Sequence, residues 1–336
     1  GETLSFVSQP FDWVAERLAQ HGPIFKSRIL GREVVVITGP DAADLWIDDE
    51  KLKRDPSLPD HVFKLFGGFS LPTLDDEPHR IRRAQVMAAF DDEALASYLP
   101  RLSTLLHGRV ARWASEGELA LVPVARSLAV ACIADSMLGN VAAADLTAVE
   151  ADYAAVTQGF AAIPVAVVGS DLHKALAARD RLLARLHSAV AQKRREPGHE
   201  GLSRMLAARG AGGRYLDDEG AVLELHHIFL AGYIVFALLA GAVIQLAAHP
   251  HVRAAVEAEI AALGDISLAS LGAMEMTNAV VREVKRITPV LPLLFARARK
   301  TFAWGGHRVP EGYQVSLALH ASHVLDSVYR DPRRFD

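Results

Sequence analysis

The longest run of apolar positions lies between Leu216 and Pro250, LDDEGAVLELHHIFLAGYIVFALLAGAVIQLAAHP, where only Gln245 is polar from Ile228 to Ala248. Asp217 or Asp218 suits a helix start, Pro250 suits the position after its end, and nothing between forbids a helix. About thirty residues would then span roughly 45 Å. The run passes the transmembrane criterion of about 18 or more apolar residues. Its Ala and Gly richness, the amphipathic charged sequence on either side and the expected lack of a second such segment favour a helix enclosed by other helices. In mid-helix, Ala231-Gly232 offers two minimal side chains, at a cost of about 1 kcal/mol for the glycine. Such a pair admits either a large flat group or a closely crossing helix, and both readings stand at this point.

The remaining pattern reads in order. Phe11 to His21 has amphipathic helical spacing; Ile24 to Thr38 alternates about a Gly31-Arg32 turn, as a β-hairpin does; Asp41 to Asp49 returns to helical spacing. Pro56 to Pro78 is irregular yet offers Phe63, Leu65, Phe66, Phe69 and Leu71, either as a lid over a hydrophobic cavity or as a loop pinned to the core. Glu77 to Phe90 is a helix with Pro78 near its start, and it sets His79 and Arg83 on one face, where each could grip a carboxylate or phosphate. Several helices follow from Asp91 to Lys193, with an apolar, turn-rich break from Ile163-Pro164 to Gly169-Ser170. Beyond Pro250 come two amphipathic segments, the second carrying Glu283 and Arg286 at ion-pair spacing. Pro289 to Phe295 is extended and apolar, and Thr301 to Leu319 contains strands about GGHRVPEGYQ.

Composition narrows the picture only in places. No linker divides the 336 residues, so one domain over 1–336 is expected: β-rich to about 75, helical from about 76 to 290, then hairpin and meander. A net charge of −4 with interspersed signs gives no reason to expect nucleic-acid binding. The one cysteine, Cys132, excludes an intramolecular disulfide and a Cys-rich metal site; on an apolar helix face it reads as a buried thiol, not a ligand. No secretory signal opens the sequence, and a soluble cytoplasmic protein is expected.

The individually weak signals fall into one known order: His79-x-x-x-Arg83, Ala231-Gly232 in a long central helix, Glu283-x-x-Arg286, a Pro-rich piece leading to Arg297, GGHRVPEG and DPRRFD. Over essentially the whole chain this resembles a cytochrome P-450, a haem-thiolate oxygenase with a mainly α fold and small β-sheets. The resemblance implies that His79, Arg83 and Arg297 hold the haem propionates, that Ala231 and Gly232 face the porphyrin, and that Glu283 and Arg286 form a structural ion pair. It implies a pocket for a lipophilic small molecule lined by Phe63, Phe66, Phe69, Val235, Phe236, Val290, Leu291 and Leu293.

Two departures qualify it. The family's acid-Thr pair after Ala-Gly is replaced by Ile234 and Val235, neither of which transfers a proton, so a peroxide-driven, substrate-assisted or oxygen-independent reaction gains weight. The family's cysteine ligand lies downstream of the DPxxFD meander, where these residues end, so haem b is expected only if a further segment carries it; a missing segment is the favoured explanation. The resulting expectation is a haem-dependent oxidoreductase that inserts oxygen into a lipophilic molecule, using an electron-transfer partner or peroxide. The alternatives are a haem-free auxiliary protein covering a second enzyme, or a non-redox cyclase.

Overall fold

The computed structural model describes residues 2–29, 31–288 and 290–336. Two helices open the chain, α1 (Glu2–Ser8), which the pattern did not announce, and α2 (Pro10–His21), which it did. The alternating stretch forms an antiparallel pair, β1 (Ile24–Ile29) and β2 (Arg32–Ile37), closed by Ile29 opposite Arg32. Arg32 therefore already belongs to the strand, and the turn residue with left-handed backbone is Gly31, at φ 78°. After α3 (Pro40–Trp46) comes the short strand β3 (Leu52–Lys53).

The stretch from Pro56 to Pro78 is more regular than its prolines suggest. It holds α4 (Asp60–Leu65) and a single 3-10 turn over Leu71–Thr73, where the Thr73 hydroxyl accepts from the Ser70 N–H at 3.1 Å and donates to the Ser70 carbonyl at 2.9 Å. The helical body follows: α5 (Asp76–Met87), α6 (Asp92–Glu116), α7 (Leu121–Leu138), α8 (Ala143–Phe160), α9 (Asp171–Arg195) and α10 (Gly201–Ala207). Side-chain caps fix several starts: Asp91 accepts from the Ala94 N–H at 2.8 Å and Ser170 from that of His173 at 3.1 Å. Between α8 and α9 the expected break is present, with Val165, Val167 and Val168 exposed.

The long apolar run is two helices rather than one: α11 (Asp218–Ile234) and α12 (Phe236–Ala248), capped at the start by Asp217, which accepts from the Gly220 N–H at 2.7 Å. A second helix, α7, also has the length and apolarity to cross a membrane, contrary to the expectation of a single such segment. The two apolar helices lie against each other inside the fold. Then come α13 (Pro250–Ala261), α14 (Leu268–Gly272) and α15 (Glu275–Ile287), and the strands β4 (Leu294–Ala298), β5 (Phe302–Trp304), β6 (His307–Val309) and β7 (Gln314–Leu317), ending with α16 (Leu319–His323). Gly305 and Gly306 both have positive φ, as the two-residue turn of the β5–β6 hairpin requires. Of the extended piece expected from Pro289, the first residue lies outside the described residues.

The larger sheet has the order β1-β2-β7-β4-β3, parallel only between β2 and β7, so strands from both ends of the chain interleave. One sheet face buries Leu45, Leu52, Val309 and Leu317; the other buries Phe6, Trp13, Val34 and Leu293 beneath α1 and α2. The main core lies among α5 to α11 and includes Tyr98, Met137, Tyr153, Leu182, Leu225, Phe229 and Tyr233. A satellite cluster joins Val256, Val280 and Val284 to Phe335.

Candidate functional site

The break between α11 and α12 falls at Val235, whose N–H bonds to the Gly232 carbonyl at 3.3 Å, three residues back instead of four. Gly232, Ile234 and Val235 are all poor helix formers, the glycine for backbone entropy and the other two because a branched Cβ is confined against the preceding turn. The tightened turn leaves Ala231 exposed and Val235 41% exposed on one side of the helix. Ile234 packs against the main core. Gly232 does not share the open side. A Cβ placed there would stand 2.8 Å from Cβ and Cγ1 of Ile133 on α7, so its missing side chain serves a helix crossing. This corrects the expected cofactor-facing role of Gly232; Ala231 alone of that pair looks onto open space.

On α5, His79 is half-buried and Arg83 exposed, and neither side chain makes a hydrogen bond or ion pair among the described residues. Arg82 turns the other way and meets Glu224 of α11 at 3.1 Å. Arg297 sits in β4 between Lys53 of β3 and Gln314 of β7, and its Nε is buried with no partner. Just past the end of β4, Arg299 donates to both carboxylate oxygens of Asp76 on α5 at 3.0 Å. Backbone N–H groups of Arg54 and Asp55 donate to Asp75 at 2.7 to 2.9 Å. The sheet edge is thus tied to the start of α5, the helix that carries His79 and Arg83, and Arg297 lies in the strand that leads into this junction.

A buried guanidinium nitrogen without a partner costs about 1–3 kcal/mol or more. Two guanidinium groups and an imidazole without protein anions, one of them with an orphaned buried donor, fit a group bearing two carboxylates, and haem is such a group.

The expected pocket residues divide. Phe66 stacks on Phe160 at 5.9 Å and lies 6.3 Å from the ring of His227, so it reaches the open side of α11. Phe63 and Phe69 pair with each other at 5.1 Å and line a separate groove of about 300 Å³ with Arg54, Pro56, Leu58 and Thr73. Phe236 turns inward to Tyr233 at 5.4 Å, and the Arg126 guanidinium covers its ring at 4.8 Å. Val290 is half-buried and Leu291 exposed. Leu293 is only 3% exposed and belongs to the cluster under α1 and α2, so it lines no open pocket.

Glu283 and Arg286 meet at 2.6 Å, and Arg286 lowers the Glu283 carboxyl below its ordinary range. Arg286 also donates to the carbonyls of His323, Pro332 and Arg334, so the pair fastens the last residues to α15. Cys132 is partly buried on α7; burial and nearby Asp135 push its thiol up, away from the thiolate a metal would need. Deep in α11, His226 bonds through Nε2 to the Leu65 carbonyl at 2.9 Å and through Nδ1 to the Tyr153 hydroxyl at 3.2 Å. Burial pushes it down to about 4, so it is neutral. Periodicity alone did not distinguish Glu224, His226 and His227; the available signal was three polar residues within four positions of an otherwise apolar helix.

Residues 153–336 match the family described as Cytochrome P450. The chain belongs to the cytochrome P450 family. This P450 is 27% identical to cytochrome P450 26C1 of Mus musculus over 99% of this chain and 70% of that protein. It is likewise 27% identical to ent-kaurenoic acid oxidase 1 of Arabidopsis thaliana, over 100% of this chain and 73% of that one. Among solved structures, a retinoic acid-bound cyanobacterial CYP120A1 superposes with a TM-score of 0.92 at 26% identity, covering 100% of this chain and 78% of that one. The mainly α P450 fold with small sheets is therefore established for this chain, and with it membership of a family of haem-dependent oxidoreductases.

Proposed function

We propose that this P450 oxygenates a lipophilic small molecule, with His79, Arg83 and Arg297 holding the two haem propionates and the Ala231–Val235 face turned toward the reacting centre. The observation that carries the reading is the buried, unpartnered Nε of Arg297 on the strand tied to α5. When bound, haem supplies the iron at which oxygen is activated. Cys132, embedded in α7 as a thiol, is no axial ligand, so the reading requires a thiolate from outside these 336 residues. Ala231 and Val235 present a small apolar wall on the open side of the helix, and Phe66 with Phe160 extends it. The retinoic acid bound by the cyanobacterial relative and the ent-kaurenoic acid for which the plant oxidase is named both have extended apolar skeletons, the part of a ligand that such a wall suits.

Ile234 and Val235 neither hold nor pass a proton at this face. The oxidant that suits them is a peroxide, which already carries the electrons and protons that dioxygen needs from a redox partner and a relay. A comparison of peroxide with dioxygen plus a reducing partner tests this. Peroxide-supported turnover that exceeds the reductive reaction at least tenfold is expected, and equal rates would contradict it.

The apolar face of α12, with Val243 and Ile244 each more than half exposed, favours a second reading, a haem-free protein that pairs with another enzyme. A monomeric product of the complete gene with stoichiometric haem excludes it. The cytoplasmic setting is part of the proposal, and cell fractionation checks it.

A further inference from the structure

Within the apolar α11, Glu224 is fully buried and its two oxygens are treated differently. Oε1 accepts from Arg82 Nη1 at 3.1 Å and from the Leu71 backbone N–H at 2.8 Å. Oε2 is buried with no hydrogen bond, and 3.5 Å away lies Nδ1 of His227, also buried and without one. A small rotation of the imidazole closes that gap, so the carboxylate fixes the tautomer with its proton on Nδ1 and leaves a lone pair on Nε2. Nε2 has no partner among the described residues, although the side chain is 23% exposed. At about 100° per residue, positions 224, 227, 231 and 235 fall within a sector of about 80°, so His227 opens on the same side as Ala231 and Val235. Its ring meets Phe66, which stacks on Phe160. A polar acceptor thus stands in an apolar wall, roughly 6 Å along the helix from Ala231.

Resting on the lipophilic pocket proposed above, we propose that His227, oriented by Glu224, is a specificity-determining residue that accepts a hydrogen bond from a hydroxyl group of the substrate, selecting lipophilic alcohols over acids and over skeletons without a donor. A hydroxyl satisfies Nε2 without any change of charge. A carboxylate would bring a second anion toward the Glu224 carboxylate behind the imidazole and offers no proton to the Nε2 lone pair. Val235 lies about two turns further along, beyond reach of a group held at His227, so the pair positions substrate and does not deliver protons at the break.

The test is calorimetric binding of three probes with one skeleton, retinol, retinyl methyl ether and retinoic acid, to the complete haem-containing protein, with thermal unfolding as a control on each variant. Retinol is expected to bind about tenfold more tightly than the ether or the acid, the effect of one hydrogen bond. His227→Phe is expected to bring the retinol-to-ether ratio to about one with the ether affinity kept within about threefold, and His227→Gln, which retains an acceptor, to restore part of the ratio. Glu224→Gln is expected to tighten retinoic acid relative to retinol. A wild-type protein that binds retinol and the ether equally, or a preference that survives His227→Phe in a folded variant, overturns the inference and leaves the lipophilic pocket standing. Failure of all three probes to bind overturns the pocket as well.

Discussion

Arg297 is the residue on which the proposed site turns, and its expected behaviour separates binding from folding. Arg297→Gln is expected to weaken haem binding roughly 10- to 100-fold, the effect of one charge-assisted hydrogen bond, while leaving the haem-free protein as stable or more so, because an unpaired buried donor is removed. Haem titration and denaturant unfolding of the same variant check both halves. His226 makes a pH prediction. Its folded form is neutral down to about 4, whereas in the unfolded chain it takes up a proton near 6.5. The unfolded state therefore binds more protons between those values, and stability falls as pH drops from about 6.5 to about 4, by on the order of 3 kcal/mol from this residue. His61, His320 and His323, also lowered by burial, add in the same direction. Urea midpoints across that range should show the slope, and His226→Gln should reduce it. His79, Arg83 and Arg297 drew attention through the order of motifs that the family resemblance supplied, since basic residues at helical spacing are by themselves usually just solvated. Glu224 with His227 stayed illegible, because its meaning depends on Leu71 and Arg82, brought in from distant sequence.

The central helix carries the lesson among elements. Hydrophobic run length showed that a long apolar helix crosses the molecule, but periodicity is silent about a one-residue change of hydrogen bonding, and so the break at Val235 was not foreseen. The bland reading of Gly232 prevails, since α7 needs the space. Gly232→Ala is expected to cost about 1–3 kcal/mol by overpacking against Ile133. In Ile133→Ala the same change should cost far less, and a double-mutant cycle of unfolding free energies reads the difference. Additive costs would contradict the crossing. Likewise the Phe-rich stretch was legible as apolar, yet of its three phenylalanines only Phe66 meets a ring of α11, while Phe63 and Phe69 pair over a separate groove.

For the whole molecule, order along the chain was the legible quantity: no single motif was specific, yet their succession matches a fold that superposes over 100% of the chain. The sheet's topology was not legible, because β2 and β7 meet across about 280 residues and strand patterns carry no record of a distant partner. Arg286 closes the far end of the chain, and Arg286→Ala is expected to cost about 3–5 kcal/mol by leaving Glu283 buried without its cation. Differential calorimetry checks it, together with faster proteolysis beyond His323. The most direct test of the whole account is a haem titration of the complete gene product beside the triple variant His79→Gln, Arg83→Gln, Arg297→Gln. The account predicts stoichiometric uptake with a thiolate-type carbon monoxide difference spectrum in the native protein, and uptake weakened at least 100-fold in a variant that remains folded. No haem uptake by the native protein, or unchanged affinity in the variant, would contradict it.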